Sequence, residues 1–339
     1  MRLVRFNDWR TGVMVSDDTF VDIAESIDGL RTHDQPAAEI LSPLFTGENK
    51  RDWTALIEQW DAARGPLSTL VSLAGAADGV VTRAFADVDL LPPLPSPRPR
   101  VFAIGANFAD HGSRSKTKLL GRTVTEEEIL AERAAGLPPW GFIAVPGTIT
   151  GSGGTVYAPR GVTMLDYEAE VAVVLRRGGR ELSAGELEIW GYTGWNDMSI
   201  RDHFFGRGTA IDRGILIWTL AKNFEGSNPC GTWLCVDEPH DVGNLRMQSR
   251  VNGETRQDST TAKMIWSFGD TAAHISDYIP LLPGDMIVSG TPAGPMIEQG
   301  EDGIYLQAGD EVEIEIEGAG ILRTTVGKPA GWPTKSESA

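Results

Sequence analysis

The stretch Met164–Leu175, MLDYEAEVAVVL, sets Asp166, Glu168 and Glu170 at alternate positions and then runs straight into five apolar residues. In a β-strand alternate side chains share a face, so the three carboxylates point the same way. The apolar continuation covers both faces, which predicts a buried strand. Crowded like charges raise one another's proton affinity, and burying them unpaired is costly. The stretch therefore demands a divalent cation or basic partners. A second acidic alternation serves as a control: EVEIEIEG sets Glu311, Glu313, Glu315 and Glu317 opposite apolar residues. That pattern needs only a solvated outer face.

A further carboxylate follows in GYTGWNDMSIRD, residues 191–202, where Asn196-Asp197 ends an aromatic, glycine-rich strand. Asp197 could complete a Glu/Glu/Asp oxygen shell with positions left for water or substrate oxygens. Hard oxygen donors favour Mg²⁺, Mn²⁺ or Ca²⁺ over zinc. On spacing alone, a structural salt-bridge network is an equal alternative.

The 339 residues suffice for one large domain with an appendage or for two domains. A net charge of −17 opposes a nucleic-acid surface, which needs a basic stripe. Cys230 and Cys235 form neither a disulfide framework nor a zinc-type cluster. The opening MRLVRFNDWRTG lacks the apolar core of a signal peptide, and no apolar run is long enough to cross a bilayer. The expectation is a cytoplasmic enzyme or binding protein with no nucleic-acid or membrane partner.

Residues 1–90 read as a small N-terminal α+β module, with short strands followed by a helix across WTALIEQWDAARGPLSTLVSLA. Residues 91–100 form a Pro-rich linker; LLPPLPSPRPR, from Leu90 to Arg100, holds five prolines. Residues 101–327 are mostly short strands, with hairpin signals at VNGET and EVEIEIEG. The best helix there lies within TAKMIWSFGDTAAHISDYIPL. Residues 328–339 read as a flexible tail. The class is α+β. GSGGT, residues 151–155, lacks the lysine and helix of a phosphate loop.

GANFADH, MLDYEAEVAVVL, GYTGWNDMSIRD, TLAKNF, VNGETRQ and GDMIVSGTPAG occur in an order that resembles the fumarylacetoacetate hydrolase family, over roughly residues 100–327. The resemblance implies a mixed β-sandwich roll, usually homodimeric. It implies action on β-diketones, acylpyruvates and related 2-oxo acids by C–C hydrolysis, decarboxylation, or dehydration and isomerisation. It places the metal ligands at Glu168, Glu170 and Asp197, with Mg²⁺ (or Mn²⁺/Ca²⁺) as cofactor and Asp166 hydrogen-bonding beside them. It further places an active-site lysine at Lys222, a substrate-side hydroxyl at Thr291, where Gly290 and Gly294 let the backbone come close, and a histidine base at His111. His203, His240 and His274 have no legible partners.

Three positions depart from the family pattern. Arg114 stands where hydrolytic members carry a glutamate that orients the histidine, Val145 replaces a lysine, and Phe204 replaces a glutamine. The segment Ser113–Trp140 reads as a lid with a helix near Glu126–Ala134, opened by a Thr125/Glu128 capping signature. One of Glu126, Glu127, Glu128 or Glu132 is expected to supply the missing carboxylate. The sequence thus points to metal-dependent hydrolysis of an acylpyruvate or β-diketone acid. A decarboxylase or dehydratase/isomerase on the same site, and a metal-stabilised non-catalytic binding protein, are the alternatives.

Overall fold

A computed structural model describes residues 1–206 and 215–328. The remainder of the expected tail, residues 329–339, lies outside the described residues.

The strand Ala169–Leu175 is buried along its whole length, as its two-faced apolar sequence requires. It pairs antiparallel with Ile189–Asn196 on one side and Met286–Val288 on the other, inside an eleven-stranded sheet. Val101–Ile104 adds in parallel beside Met286–Val288, and Gly141–Ala144 closes that edge. Val171, Val173 and Leu175 face a core shared with Met247, Val312, Ile314 and Leu322 of a second, five-stranded sheet. Ala172 and Val174 face the opposite core, built with the helices Ile23–His33, Gln35–Phe45 and Trp60–Ser72. The fold is the expected mixed α+β sandwich. In the control stretch, Glu311–Ile316 buries only Val312, Ile314 and Ile316, so its acids lie on the outer face.

The first ninety residues share the main sheet. Arg2–Phe6 pairs with Leu234–Val236, and Leu90–Leu91 at the start of the Pro-rich stretch pairs back onto Arg2–Phe6. The fully buried Arg5 joins the Pro-rich stretch to this strand. Its guanidinium donates to the carbonyls of Leu94, Pro95, Trp9, Lys50 and Arg51 and stacks 4.0 Å from the Trp53 ring centroid. Burial pulls its proton affinity down to about 9, against the nearby Asp52.

Replacing Arg5 with methionine fills the volume but removes every donor to these carbonyls. It should cost roughly 2–4 kcal/mol of stability in equilibrium urea unfolding. An unchanged midpoint would mean that the carbonyls find other partners.

Candidate functional site

The acidic residues sit where the central strand pair ends. Ala169 is opposite Asn196, the Asp197 N–H donates to the Glu168 carbonyl at 3.0 Å, and Asn196 Oδ1 accepts from the Glu168 N–H at 3.2 Å. This register brings Glu168, Glu170 and Asp197 together, with ligand oxygens within 4.8 Å of one another and all three side chains buried. Asp166 turns away. It accepts the N–H groups of Tyr167, Met296 and Ile297 and the Arg201 guanidinium, so it fixes backbone.

Two buried cations answer the cluster. Arg201 spans Asp166 and Glu168. Lys222, the last residue of the helix Ile215–Lys222, places its Nζ 2.6 Å from both Glu168 Oε2 and Asp197 Oδ2. Burial favours the neutral Glu168, but Arg201, then Lys222 and His111, outweigh it and hold this carboxyl far below the usual range. Glu170 is pushed well above it by burial, Asp197 and Glu168, and among the described residues accepts only the Gly290 N–H, at 3.1 Å. Burial lifts Asp197 to about 7 against the pull of Lys222. Burial works against the Lys222 ammonium, yet Asp197 and Glu168 raise its proton affinity and keep it charged.

These residues fit a hard divalent cation. Asp197 Oδ1 is buried with no hydrogen-bond partner among the described residues. Oxygens bound to one ion at about 2.0–2.6 Å lie within about 5 Å of each other, which the cluster satisfies. An all-oxygen donor set suits Mg²⁺, Mn²⁺ or Ca²⁺.

His111 lies on the helix Ala109–Leu120, and its Nε2 is 3.9 Å from Glu168 Oε1. Its Nδ1 meets Glu298 Oε1 at 2.8 Å. The carboxylate beside the histidine therefore comes from Glu298 and not from the lid. Glu128 closes the capping box with Thr125 and pairs with Arg122, Glu132 pairs with Lys116, and Glu126 and Glu127 are exposed in the first turn of Glu126–Ala134. Glu298 is held by the Gly294 N–H at 3.0 Å and by Arg114 at 3.5 Å. Arg114, at the departing position, thus grips an acid supplied from elsewhere in the chain. The signal in the sequence was thin: one glutamate in PMIEQG, just beyond the recognised SGTPAG.

Thr291 is buried in the same cavity wall, donating to the Ala169 carbonyl at 2.9 Å and accepting from Gln257 at 2.8 Å. Gln257, not singled out in the sequence, also accepts the Ala169 N–H and donates to Pro292. Gly290 adopts φ +79° where a Cβ would stand 2.8 Å from Asn107, and Gly294 adopts φ +130° where one would meet the Arg256 carbonyl at 2.3 Å. Val145 is exposed, and its N–H donates to Asn223 Oδ1. His203 is pulled down to about 4 by burial and then Arg201; both its ring nitrogens lack partners among the described residues. His111, the acidic cluster, Lys222 and Thr291 open onto one cavity of about 200 Å³, which Phe204 and Trp218 also line.

Residues 100–327 match the family model described as fumarylacetoacetate (FAA) hydrolase C-terminal. Over 237 residues the chain is 33% identical to the homoprotocatechuate catabolism bifunctional isomerase/decarboxylase of Escherichia coli, covering 68% of this chain and 47% of that protein. The chain spans about half the length of the first curated relatives it matches. The crystal structure of 2-hydroxyhepta-2,4-diene-1,7-dioate isomerase from Mycobacterium marinum is 28% identical with a TM-score of 0.56, covering 76% of this chain and 84% of that one. Maleylpyruvate hydrolase from Sphingobium sp. SYK-6, solved with manganese(II) and pyruvate, shares the fold, with a TM-score of 0.65 at 21% identity over 96% of this chain and 99% of that one.

The raised Glu170 and Asp197 carboxyls make the metal-free protein pH-sensitive. Between the usual carboxylate range and about pH 7 the folded state holds more protons than the unfolded chain, so stability falls as pH rises through that window. Glu168 acts oppositely; its contribution is present above its unfolded range and lost only in stronger acid. Melting temperatures of metal-free protein should fall from about pH 5.5 to about pH 8, and added Mg²⁺ or Mn²⁺ should raise them more at the higher pH. Both trends should flatten in the Glu170→Gln/Asp197→Asn double variant. A larger metal shift at the lower pH contradicts the assignment.

Proposed function

Because this chain belongs to the fumarylacetoacetate hydrolase family, we propose that it is a metal-dependent hydrolase cleaving a C–C bond in an acylpyruvate, β-diketone acid or related 2-oxo acid. The observation that carries hydrolysis is the His111–Glu298 pair beside the acidic cluster. Hydrolysis needs a base that accepts a proton from water, and a histidine fixed by a carboxylate at one ring nitrogen presents the other for that task.

Glu168, Glu170 and Asp197 hold the cation. When bound, a divalent ion polarises chelating substrate oxygens and stabilises the enolate charge that develops as the C–C bond breaks. Glu298 accepts from Nδ1–H of His111, which leaves the Nε2 lone pair toward the cavity. Nε2 takes a proton from water, and the resulting hydroxide adds to the distal carbonyl carbon. As the tetrahedral adduct collapses, the C–C pair leaves as an enolate, which His111 can reprotonate on carbon. The products are a carboxylic acid and the shortened oxo acid. The Lys222 ammonium, kept charged by its two carboxylates, neutralises a substrate oxygen. The Thr291 hydroxyl, pinned by Gln257 and Ala169, forms part of the wall that positions substrate.

Decarboxylation or isomerisation is the second reading, favoured by the E. coli relative, whose name gives both activities. Decarboxylation needs the same cation site but no nucleophilic water. His111→Ala should lower hydrolysis by two or more orders of magnitude, about the range for losing a general base, and Glu298→Gln by roughly tenfold or more. If carbon dioxide is the product and both variants keep most of the rate, the decarboxylase reading replaces this one.

We also propose a cytoplasmic homodimer. Cys230 and Cys235 are free, and no helix among the described residues is long and apolar enough to cross a membrane. Leu216 and Leu220 on one face of the Lys222 helix, with Ile143 on the edge strand, are exposed apolar side chains that a second subunit could cover. Light scattering should give twice the chain mass, and Leu216→Glu/Leu220→Glu should shift it to monomer. A wild-type monomer contradicts the proposal.

A further inference from the structure

The cavity is chemically lopsided. Its acidic end holds the cluster, Lys222 and His111, while Ile104, Leu119, Trp140, Phe142, Phe204 and Trp218 form an apolar wall, with Ser115 and Lys116 also in the lining. The aromatic wall is built as one unit. Trp218 precedes Lys222 by four residues on the same helix, so the indole and the ammonium share a face one turn apart. Its ring lies 5.5 Å from Trp140 and 5.3 Å edge-on from Phe142, and the Lys222 ammonium stands 5.5 Å from the Phe142 ring. Gly105 makes room for the wall: a Cβ there would stand 2.6 Å from the Trp140 ring.

Cations for a second substrate carboxylate are already engaged among the described residues. Arg201 and Lys222 are bound by the cluster, and Lys116, also in the lining, is paired with Glu132. Among the described residues, a carboxylate placed against the aromatic wall would lose hydration and find no unengaged cation there. An apolar group there would exchange water for ring contacts.

From this we infer that the substrate's distal end, away from the oxo-acid head, is apolar, an aryl or branched alkyl group and not a second carboxylate. The inference rests on the proposed 2-oxo acid chemistry for the head and deepens it.

Two measurements separate the inference from that chemistry. The first uses paired 2,4-dioxo acids of equal length ending in phenyl or in carboxylate, assayed with Mg²⁺. The phenyl member should show at least a tenfold higher kcat/KM, and Trp218→Ala should erase most of that margin. The second is calorimetric titration of the Mg²⁺-loaded protein with unreactive oxamates carrying the same two ends. The phenyl oxamate should bind at least tenfold tighter, and Trp218→Ala should remove the difference. Equal or tighter binding of the carboxylate-ended oxamate overturns the inference whatever the enzyme turns over. A phenyl preference in binding with no turnover of either dioxo acid leaves the inference standing and counts against the proposed reaction.

Discussion

The structure is organised around an excess of buried negative charge. Asp166, Glu168, Glu170 and Asp197 lie out of solvent, and among the described residues Arg201 and Lys222 are the buried Arg and Lys side chains paired with them. Taking carboxylates from water is costly unless cations and hydrogen bonds replace it. Glu168 receives both cations and stays ionised, Asp197 receives one, and Glu170 receives a single backbone N–H. The deficit is concentrated on the two groups that a divalent ion would neutralise. The same economy of partners reaches past the cluster: Asp166 accepts the N–H groups of Met296 and Ile297, so it fixes the chain immediately before Glu298. The charge network and the His111–Glu298 contact are thus mechanically linked.

Support for this arrangement comes from both sides of the central sheet. The strand carrying Glu168 and Glu170 buries alternate side chains into two cores, one under the five-stranded sheet and one under the N-terminal helices. In the second core Trp190 is flanked edge-on by Trp53 and Trp60 at 5.7 and 5.5 Å. Such packing keeps side chains in defined rotamers, and a site whose oxygens must lie within a few tenths of an ångström of their places depends on that.

What could be read in the sequence was what is local or periodic. The alternation in DYEAEV, the all-apolar run after it and the Thr125/Glu128 cap depend on residues a few positions apart, and each appears in the structure. The Glu298 partner of His111 is 187 positions away, and nothing local marks it. Arg114, the residue that seemed to abolish the pair, in fact contacts Glu298. The pairing of Arg2–Phe6 with Leu234–Val236 was equally hidden, because strand pairing across such a separation is set by the finished sheet. Gln257 escaped notice because VNGETRQ carries a hairpin signal that accounts for the turn but not for the amide aimed at Thr291.

Charge and proton movement are divided between two parts of the chain. The cluster on the central strands holds fixed charge: Arg201 and Lys222 anchor it, and its geometry follows from the sheet register. In the proposed mechanism proton transfer belongs to His111, which sits on the helix Ala109–Leu120 and is oriented by Glu298 from a loop. That loop passes through Gly294, where a side chain would collide with the Arg256 carbonyl, and it presents the Gly294 N–H to Glu298. In that proposal enolate stabilisation draws on the sheet and on Lys222 at the end of its helix, and water activation on the loop as well. A chain with the same sheet and a different loop would keep Glu168, Glu170 and Asp197 but lose the carboxylate that orients His111. The proposed choice between hydrolysis and decarboxylation therefore lies in residues 291–298 and their hold on His111, and not in the acidic cluster that first drew notice in the sequence.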